Sequence, residues 1–382
     1  MLYEIAIVGA GPIGSYLANR LVTLGHKVIV IEKKQAAGQG VCCTGIISKE
    51  CYDLLSVADN IVIRKANSAK FFTPAGRCIR MWRNDEIAYI TNRALLDQLL
   101  SNRAQAGGAD YNFSTRVENI KPETKGLLIK TSANNEKRVL EVQAAIIATG
   151  YGSNLIKNLG IGKIKAFTIG AQAEVKTNNI NEVEIYCDKN LSPGGFAWLV
   201  PTTENRGLAG LITRYQPKSH LNRLLLKLKK QGKIDSTELK CNYAVIPIRP
   251  LSKTFTDRIL VVGDAAGQVK PITGGGIYYG IICADIAAEI LHQALISGDL
   301  SSAKLSAYQN RWRKKLSREL TFGYLAQRTW AKLSNKHIEY LFSIAQNRNI
   351  PELIASTKKF PFDWHSQLLL QILVSLLPFV KH

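Results

Sequence analysis

Near the N-terminus the apolar run Ile5-Ala6-Ile7-Val8 passes directly into Gly9-Ala10-Gly11-Pro12-Ile13-Gly14. Four apolar residues stopped by a glycine read as a buried parallel strand. Ile13, Leu17, Leu21 and Leu24 then recur at helical spacing, and Gly25 sits where a C-terminal cap belongs. Residues 28–31 form a second apolar strand that ends at Glu32. The expectation is a βαβ opening. In it Gly9 permits the tight turn, Gly11 lets backbone approach a pyrophosphate, and Gly14 allows close helix–strand packing. The amides at the helix start face the phosphates, and Glu32 is placed to accept from a ribose.

A second glycine-rich segment comes much later: Gly263-Asp264-Ala265-Ala266-Gly267, followed by Pro271, Thr273, Gly274, Gly275, Gly276 and Ile277. The strand at 259–262 leads into it, so Asp264 is placed to bind a polyol hydroxyl. The glycines at 274–276 open a helix whose free N–H groups suit negative charge on a reduced flavin ring. One glycine segment suffices for NAD. Two, far apart in sequence, indicate a long cofactor gripped at both ends, which is FAD.

With 382 residues, two intimately joined domains are expected. The alternating apolar pattern at 61–89 and 166–211 reads as antiparallel sheet, and 94–106 and 276–298 as helices. The expected fold is α/β with an α+β insert: a Rossmann-like FAD-binding domain with a mixed sheet (1–60, 90–165 and 250–300), an inserted antiparallel-sheet substrate domain (61–89 and 166–249), and a C-terminal helical region (301–382). The apolar segment 366–380 is too short to span a bilayer. It reads either as an interfacial helix on a membrane or as a helix docked on the core.

Net charge is +21, spread along the chain at Lys33-Lys34, residues 227–230, residues 311–315 and Lys358-Lys359. Beyond solubility, such a surface favours phosphates, anionic headgroups or an acidic carrier protein. Nucleic acid is not expected, since no nucleic-acid module or aromatic–basic interleaving is present. Seven scattered cysteines without CxxC, and no cationic apolar leader before the first strand, give the expectation of a reducing cytoplasm and no zinc.

Three stretches make the chain resemble the FAD-dependent geranylgeranyl reductase family, within the group that shares the aromatic-hydroxylase type of flavin fold. The resemblance covers residues 1–300. The two-ended flavin site is the first, with Asn92-Arg93-Ala94-Leu95-Leu96-Asp97, where the family's arginine contacts FAD at the Arg93 position. Cys42-Cys43-Thr44-Gly45-Ile46 is the second, similar to the family's C-x-x-G-[LI] stretch near the flavin ring. Read from the residues alone, Cys42 and Cys43 are equally two inert buried thiols. The third, Pro193-Gly194-Gly195-Phe196-Ala197-Trp198-Leu199-Val200-Pro201, resembles the family's P-x-x-Y-x-W-x-F-P lining of an isoprenoid cavity. Pro193, Trp198 and Pro201 match; Phe196 and Val200 stand where the family has Tyr and Phe. By composition alone this is a core strand with a buried tryptophan.

The resemblance implies saturation of isolated C=C bonds in a geranylgeranyl chain of a lipid, pigment, quinone or diphosphate. An unconjugated alkene is a poor hydride acceptor, so protonation must accompany or precede hydride transfer. Cys42, or an ordered water, is then the proton source and Trp198 the polarizable face for cationic character. Cys43, Pro193, Phe196, Val200 and Pro201 join Trp198 in binding substrate. NADPH or a ferredoxin-like protein supplies electrons, and a peripheral membrane contact on the inner face is implied. Thr149 stands where flavin hydroxylases carry the aspartate of an Asp-Gly motif, which weighs against hydroxylase-style use of NADPH. Residues 195–201 also resemble a halogenase pattern, G-W-x-W-x-I-P, so a flavin monooxygenase or halogenase is the rival reading, followed by a quinone-directed electron-transfer flavoprotein.

Overall fold

The computed structural model describes residues 2–57, 59–357, 361–364 and 366. The expected apolar segment 366–380 lies, apart from Ser366, outside them, as do Lys358 and Lys359. The chain divides into two compact units. The first comprises residues up to Val41, Arg93–Ala166 and Pro247–Leu320; the second comprises Cys42–Asn92, Phe167–Ile246 and the described residues from Thr321 onward.

In unit one a six-stranded sheet runs in the order Phe255–Thr256, Ile259–Val261, Ala144–Ile147, Ile5–Val8, Val28–Ile31 and Asp110–Asn112. The outermost Phe255–Thr256 pair is antiparallel and every other pairing is parallel, so the sheet is mixed as expected. All residues of Ile5–Val8, Val28–Ile31 and Ala144–Ile147 are buried. Both faces must therefore be covered, which is why these strands are continuously apolar rather than alternating. The helix Ile277–Ile296 is predominantly apolar, long and apolar enough by composition to cross a membrane, and 67% buried over that window. It lies close against Pro12–Thr23, because a Cβ on Gly280 would fall 2.5 Å from Ile13 Cδ1.

Unit one also holds a meander: Arg116–Pro122, Leu127–Ala133 and Glu136–Val142. Ile120, Leu127, Ile129 and Val142 feed the core that contains Ala6, Val8 and Ile147. Charged residues alternate with those few apolar ones, and the turn is made by Asn134 and Asn135, at φ +48° and +67°, rather than by glycine.

Unit two is built on a seven-stranded sheet ordered Cys241–Pro247, Phe167–Lys176, Arg206–Thr213, Ala197–Pro201, Val183–Tyr186, Ser68–Phe72 and Cys78–Trp82. From Phe167–Lys176 onward the pairings are antiparallel with one exception, which corrects the wholly antiparallel expectation: Val183–Tyr186 and Ser68–Phe72 are parallel. These two strands come from separate visits of the chain, so no hairpin dictates their relative direction. One face packs Ala171, Ala173, Leu199 and Leu211 against Leu221, Leu224, Leu225 and Leu228 of the helix Pro217–Lys230. The opposite face carries Trp198, Val200 and Ile212, packed with Ile90 of the small sheet Ile46–Ser48, Ala88–Thr91, Val62–Ala66.

The unit boundaries differ from those expected by one to three residues at 90–92, 166 and 247–249, and more widely in two places. Residues 42–57 and 59–60 fall in unit two because Ile46–Ser48 pairs with Ala88–Thr91. The described residues of the expected helical region 301–382 are not a body of their own. The helix Ser302–Lys332 gives its first part to unit one, where Tyr308 donates to the Val261 carbonyl and Trp312 Nε1 to Thr254 Oγ1. Its later part belongs to unit two, where Gln327 Nε2 and Trp330 Nε1 donate to the Gly194 and Gly195 carbonyls at 3.0 and 2.8 Å.

Candidate functional site

Unit one brings both glycine segments to the ends of parallel strands of one sheet, with Ala144–Ile147 between them. At Gly9 the chain turns at φ +111°, and a Cβ there would lie 2.5 Å from the Ala148 carbonyl oxygen. Only glycine can hold that turn against the Ala144–Ile147 strand. Gly14 rests directly on Gly9, with a Cβ placed 2.0 Å from the Gly9 carbonyl oxygen. Gly11 is different, because no atom lies within 4 Å of where its Cβ would be. That open space fronts the start of the helix Pro12–Thr23, where unpaired N–H groups and the helix dipole favour a phosphate. Glu32 Oε2 accepts from Ala10 N at 2.8 Å and Oε1 from Lys34 N at 2.9 Å. Its carboxylate is thus aimed at the turn, as a ribose-binding acid requires.

In the second segment, Gly263 to Ala266 form a single 3-10 turn, and Gly274 turns at φ +75° before the helix Ile277–Ile296. Asp264 lies against this helix start, since a Cβ on Gly276 would fall 2.4 Å from its Oδ1. Burial pushes the Asp264 carboxyl up to about 6, against the opposing charge of Arg93. Arg93 is itself buried and bonds Asp97 through Nη2 at 2.7 Å. Burial likewise raises the Asp97 carboxyl, with Arg93 pulling the other way. Arg93 and Asp264, distant in sequence, therefore share one electrostatic environment.

Two residues that sequence reasoning passed over support this end of the site. Gln268, fully buried, accepts from Gly263 N at 2.8 Å and donates to Tyr308 at 2.8 Å. Lys270, also buried, runs beneath Gly275, whose Cβ would meet Lys270 Cε at 2.6 Å. The available signal was a glutamine and a lysine inside an otherwise small and apolar segment.

Asp264 carries a testable cost. A carboxyl ionising near 6 in the fold and near ~3.9 when unfolded favours folding while protonated. That contribution is present below about pH 4 and is lost as pH rises through 6. Flavin-free Asp264→Asn protein is expected to be more stable than wild type above pH 6, by ~1–3 kcal/mol, with the gap closing toward about pH 4. Urea unfolding across that range checks it, and a pH-independent difference would sink it. The same variant should bind FAD more weakly.

Unit two holds the remaining expected residues. Cys42 is half-buried and Cys43 exposed, and all seven cysteines are free thiols. Burial, with a smaller contribution from Cys43, raises the Cys42 thiol to about 11. Cys42 is therefore a protonated donor at neutral pH rather than a nucleophilic thiolate. Pro193 and Phe196 are half-buried, while Trp198, Val200 and Pro201 are buried. The Phe196 and Trp198 rings lie 5.8 Å apart. Trp198 lies flat across the next strand: a Cβ on Gly210 would sit 2.5 Å from its Cζ2 and 2.6 Å from its Cε2. The Gly194-Gly195 turn that precedes it is held by Gln327 and Trp330.

Digeranylgeranylglycerophospholipid reductase of Methanocaldococcus jannaschii is 29% identical over 361 residues, covering 92% of this chain and 87% of that protein. Digeranylgeranylglycerophospholipid reductase 2 of Methanopyrus kandleri is 27% identical over 372 residues, covering 93% of each. The crystal structure of a geranylgeranyl bacteriochlorophyll reductase-like protein from Thermoplasma acidophilum superimposes with a TM-score of 0.86 at 21% identity, covering 98% of this chain and 96% of that one. A halogenase in complex with FAD reaches a TM-score of 0.70 at 14% identity, covering 94% and 87%, and shares the fold alone. The model described as FAD binding domain matches residues 2–321, a span that includes both glycine segments, Glu32, Arg93 and Asp264. With that match over most of its length and a cradle shaped for the dinucleotide at both ends, this chain belongs to the FAD binding domain family.

Proposed function

We propose that the protein is an FAD-dependent reductase that saturates isolated C=C bonds in the geranylgeranyl chains of a glycerophospholipid. The observation that carries this reading is the Trp198 face of unit two. It is a buried apolar cluster of Trp198, Val200, Ile212 and Ile90 in a chain whose relatives along nine-tenths of its length are named for that reaction. When bound, FAD supplies the hydride. The residues of the chain do the rest. An apolar lining excludes water from a substrate tail and holds it in position. The Trp198 ring offers its negative face to cationic character that develops on the alkene carbon. Cys42 keeps its proton through the neutral range and is the group suited to release it.

The lipid headgroup suits the basic surface. The helix Pro217–Lys230 exposes Lys218, Arg223, Lys229 and Lys230, which favour anionic headgroups at the inner face of a cytoplasmic membrane. Electrons come from NADPH or from an acidic ferredoxin-like protein. Anaerobic bleaching of the flavin by one and not the other decides between them.

Anaerobic incubation of dithionite-reduced protein with digeranylgeranyl glycerophospholipid, followed by mass spectrometry, is expected to show mass gains in steps of two hydrogens. No gain on any prenyl substrate with the flavin fully reduced would end the proposal. If Cys42 is the acid, wild-type turnover stays level from about pH 6 to about pH 10 and falls as pH rises through 11. Cys42→Ser is expected to lower kcat by ~10²–10⁴-fold, the usual contribution of a positioned acid.

A further inference from the structure

Among the buried polar atoms of unit two without a hydrogen-bond partner are Trp198 Nε1 and Gln172 Oε1. Both residues are more than nine-tenths buried, at 9% and 6% exposure. Buried donors and acceptors are paired in the great majority of cases, so each orphan asks for an explanation. These two occupy one row of the sheet. Gly210 pairs with Gln172 on one side and with Trp198 on the other. Directly opposed residues project from the same face, so Gln172 and Trp198 stand on the same side with only a glycine between them. The Trp198 Cε2 atom, to which Nε1 is bonded, lies over Gly210, the residue between the two. A side chain at 210 would block that approach.

Gln172 has a second attachment. Its Nε2 donates to the Cys43 carbonyl at 3.5 Å. A carbonyl can only accept, so the amide orientation is set and Oε1 is the atom left over. One orphan is therefore a donor and the other an acceptor. The only small group that satisfies both at once accepts from the indole N–H and donates to the amide oxygen, which describes a hydroxylic oxygen. The surrounding face is aliphatic, with Val200, Ile212 and Ile90, and offers such an oxygen few other partners.

We propose that Gln172 and Trp198 hold a single hydroxylic oxygen between them, and that Gln172 is a positioning residue that couples this subsite to the Cys42–Cys43 backbone. The oxygen belongs either to an ordered water or to a hydroxyl of the substrate. This inference builds on the reductase reading for its kinetic arm alone; the loop and stability arms stand without it.

The test uses the full-length holoenzyme and the variants Gln172→Met, Trp198→Phe and the double variant. Gln172→Met preserves length and removes both hydrogen-bonding ends, and Trp198→Phe removes the N–H while keeping a ring. In a Cys43→Ser background, Gln172→Met is expected to raise the rate of Cys42 alkylation by iodoacetamide ~10-fold, read by mass spectrometry, with flavin content unchanged. Trp198→Phe should leave that rate alone. Equal alkylation in wild type and Gln172→Met would overturn the positioning role.

Coupling tests the shared oxygen. If one oxygen bridges both groups, the double variant loses no more than either single variant, whereas independent groups lose additively. Non-additivity in urea unfolding without substrate identifies water; non-additivity only in kcat/KM identifies a substrate hydroxyl. Additive losses in both overturn the subsite. Faster Cys42 alkylation in a protein that reduces no prenyl lipid would retain the positioning role and reject the reductase reading.

Discussion

Gly14→Ala is expected to cost the protein its flavin. The added methyl would sit 2.0 Å from the Gly9 carbonyl oxygen and 3.1 Å from its carbon, backbone against backbone, where no side chain can move aside. The helix Pro12–Thr23 must then shift off the strand that precedes it, and its N-terminal amides leave the phosphate position. Overpacking of this kind costs ~1–3 kcal/mol. Charged to cofactor binding, it weakens FAD ~5- to 200-fold. Gly11→Ala separates this from general damage. No protein atom lies near its Cβ position, so its melting temperature without FAD should match wild type while FAD binding falls. Flavin fluorescence titration of both variants is the measurement. Wild-type affinity in Gly14→Ala would refute the packing argument, and wild-type affinity in Gly11→Ala would place the pyrophosphate elsewhere.

Lys233→Met is expected to destabilise unit two severely with no direct effect on flavin binding. Glu184, on the helix-covered face of the large sheet, is 5% exposed. Its Oε2 accepts from Lys233 Nζ at 2.6 Å and from the Tyr186 hydroxyl. Lys233 Nζ also donates to that hydroxyl at 3.0 Å and lies 4.5 Å over the Phe72 ring. Burial, then the neighbouring Glu184 carboxylate, raises the Tyr186 phenol well above its ordinary value, so it remains a donor. Removing the ammonium leaves a buried carboxylate uncompensated, at ~3–5 kcal/mol. For a unit of this size that corresponds to a melting temperature lower by about 6–20 °C. Adding Glu184→Gln to Lys233→Met should recover much of the loss. Denaturation of the two variants checks this, and a single variant as stable as wild type would show that the ion pair is dispensable.

The flavin half of the molecule was legible in the sequence because its chemistry is local. Gly9, Gly11, Gly14 and Glu32 fall within one strand–helix–strand unit, and Gly263, Asp264 and Gly276 within another short run. Gly14 is required by the close approach of the Gly9 backbone five residues earlier. Asp264 against Gly276 needed only the strand and the helix that flank it. The substrate half was readable as a motif, with Pro193, Trp198 and Pro201 in register, but its geometry was not. Gln172 carried no signal, since a glutamine in an alternating strand is ordinary until its neighbours across the sheet are known. Gly210 was equally silent, its meaning being the tryptophan laid over it from the next strand.

The domain boundaries divide the same way. Alternation marked residues 61–89 and 166–211 as sheet, yet only pairing with Ala88–Thr91 carries the Cys42 segment into unit two. Only the Trp330 and Gln327 bonds draw the end of the long helix there. By itself the sequence determined the cofactor and the βαβ opening, because hydrophobic period and glycine spacing act over a few residues, and it showed the family through the resemblance at residues 42–46, 92–97 and 193–201. Tertiary structure alone decided that Asp264 faces Arg93, that two strands of the large sheet run parallel, and that Gln172 and Trp198 share one row. Those are long-range pairings, set by register between strands far apart in the chain, and no local pattern encodes them.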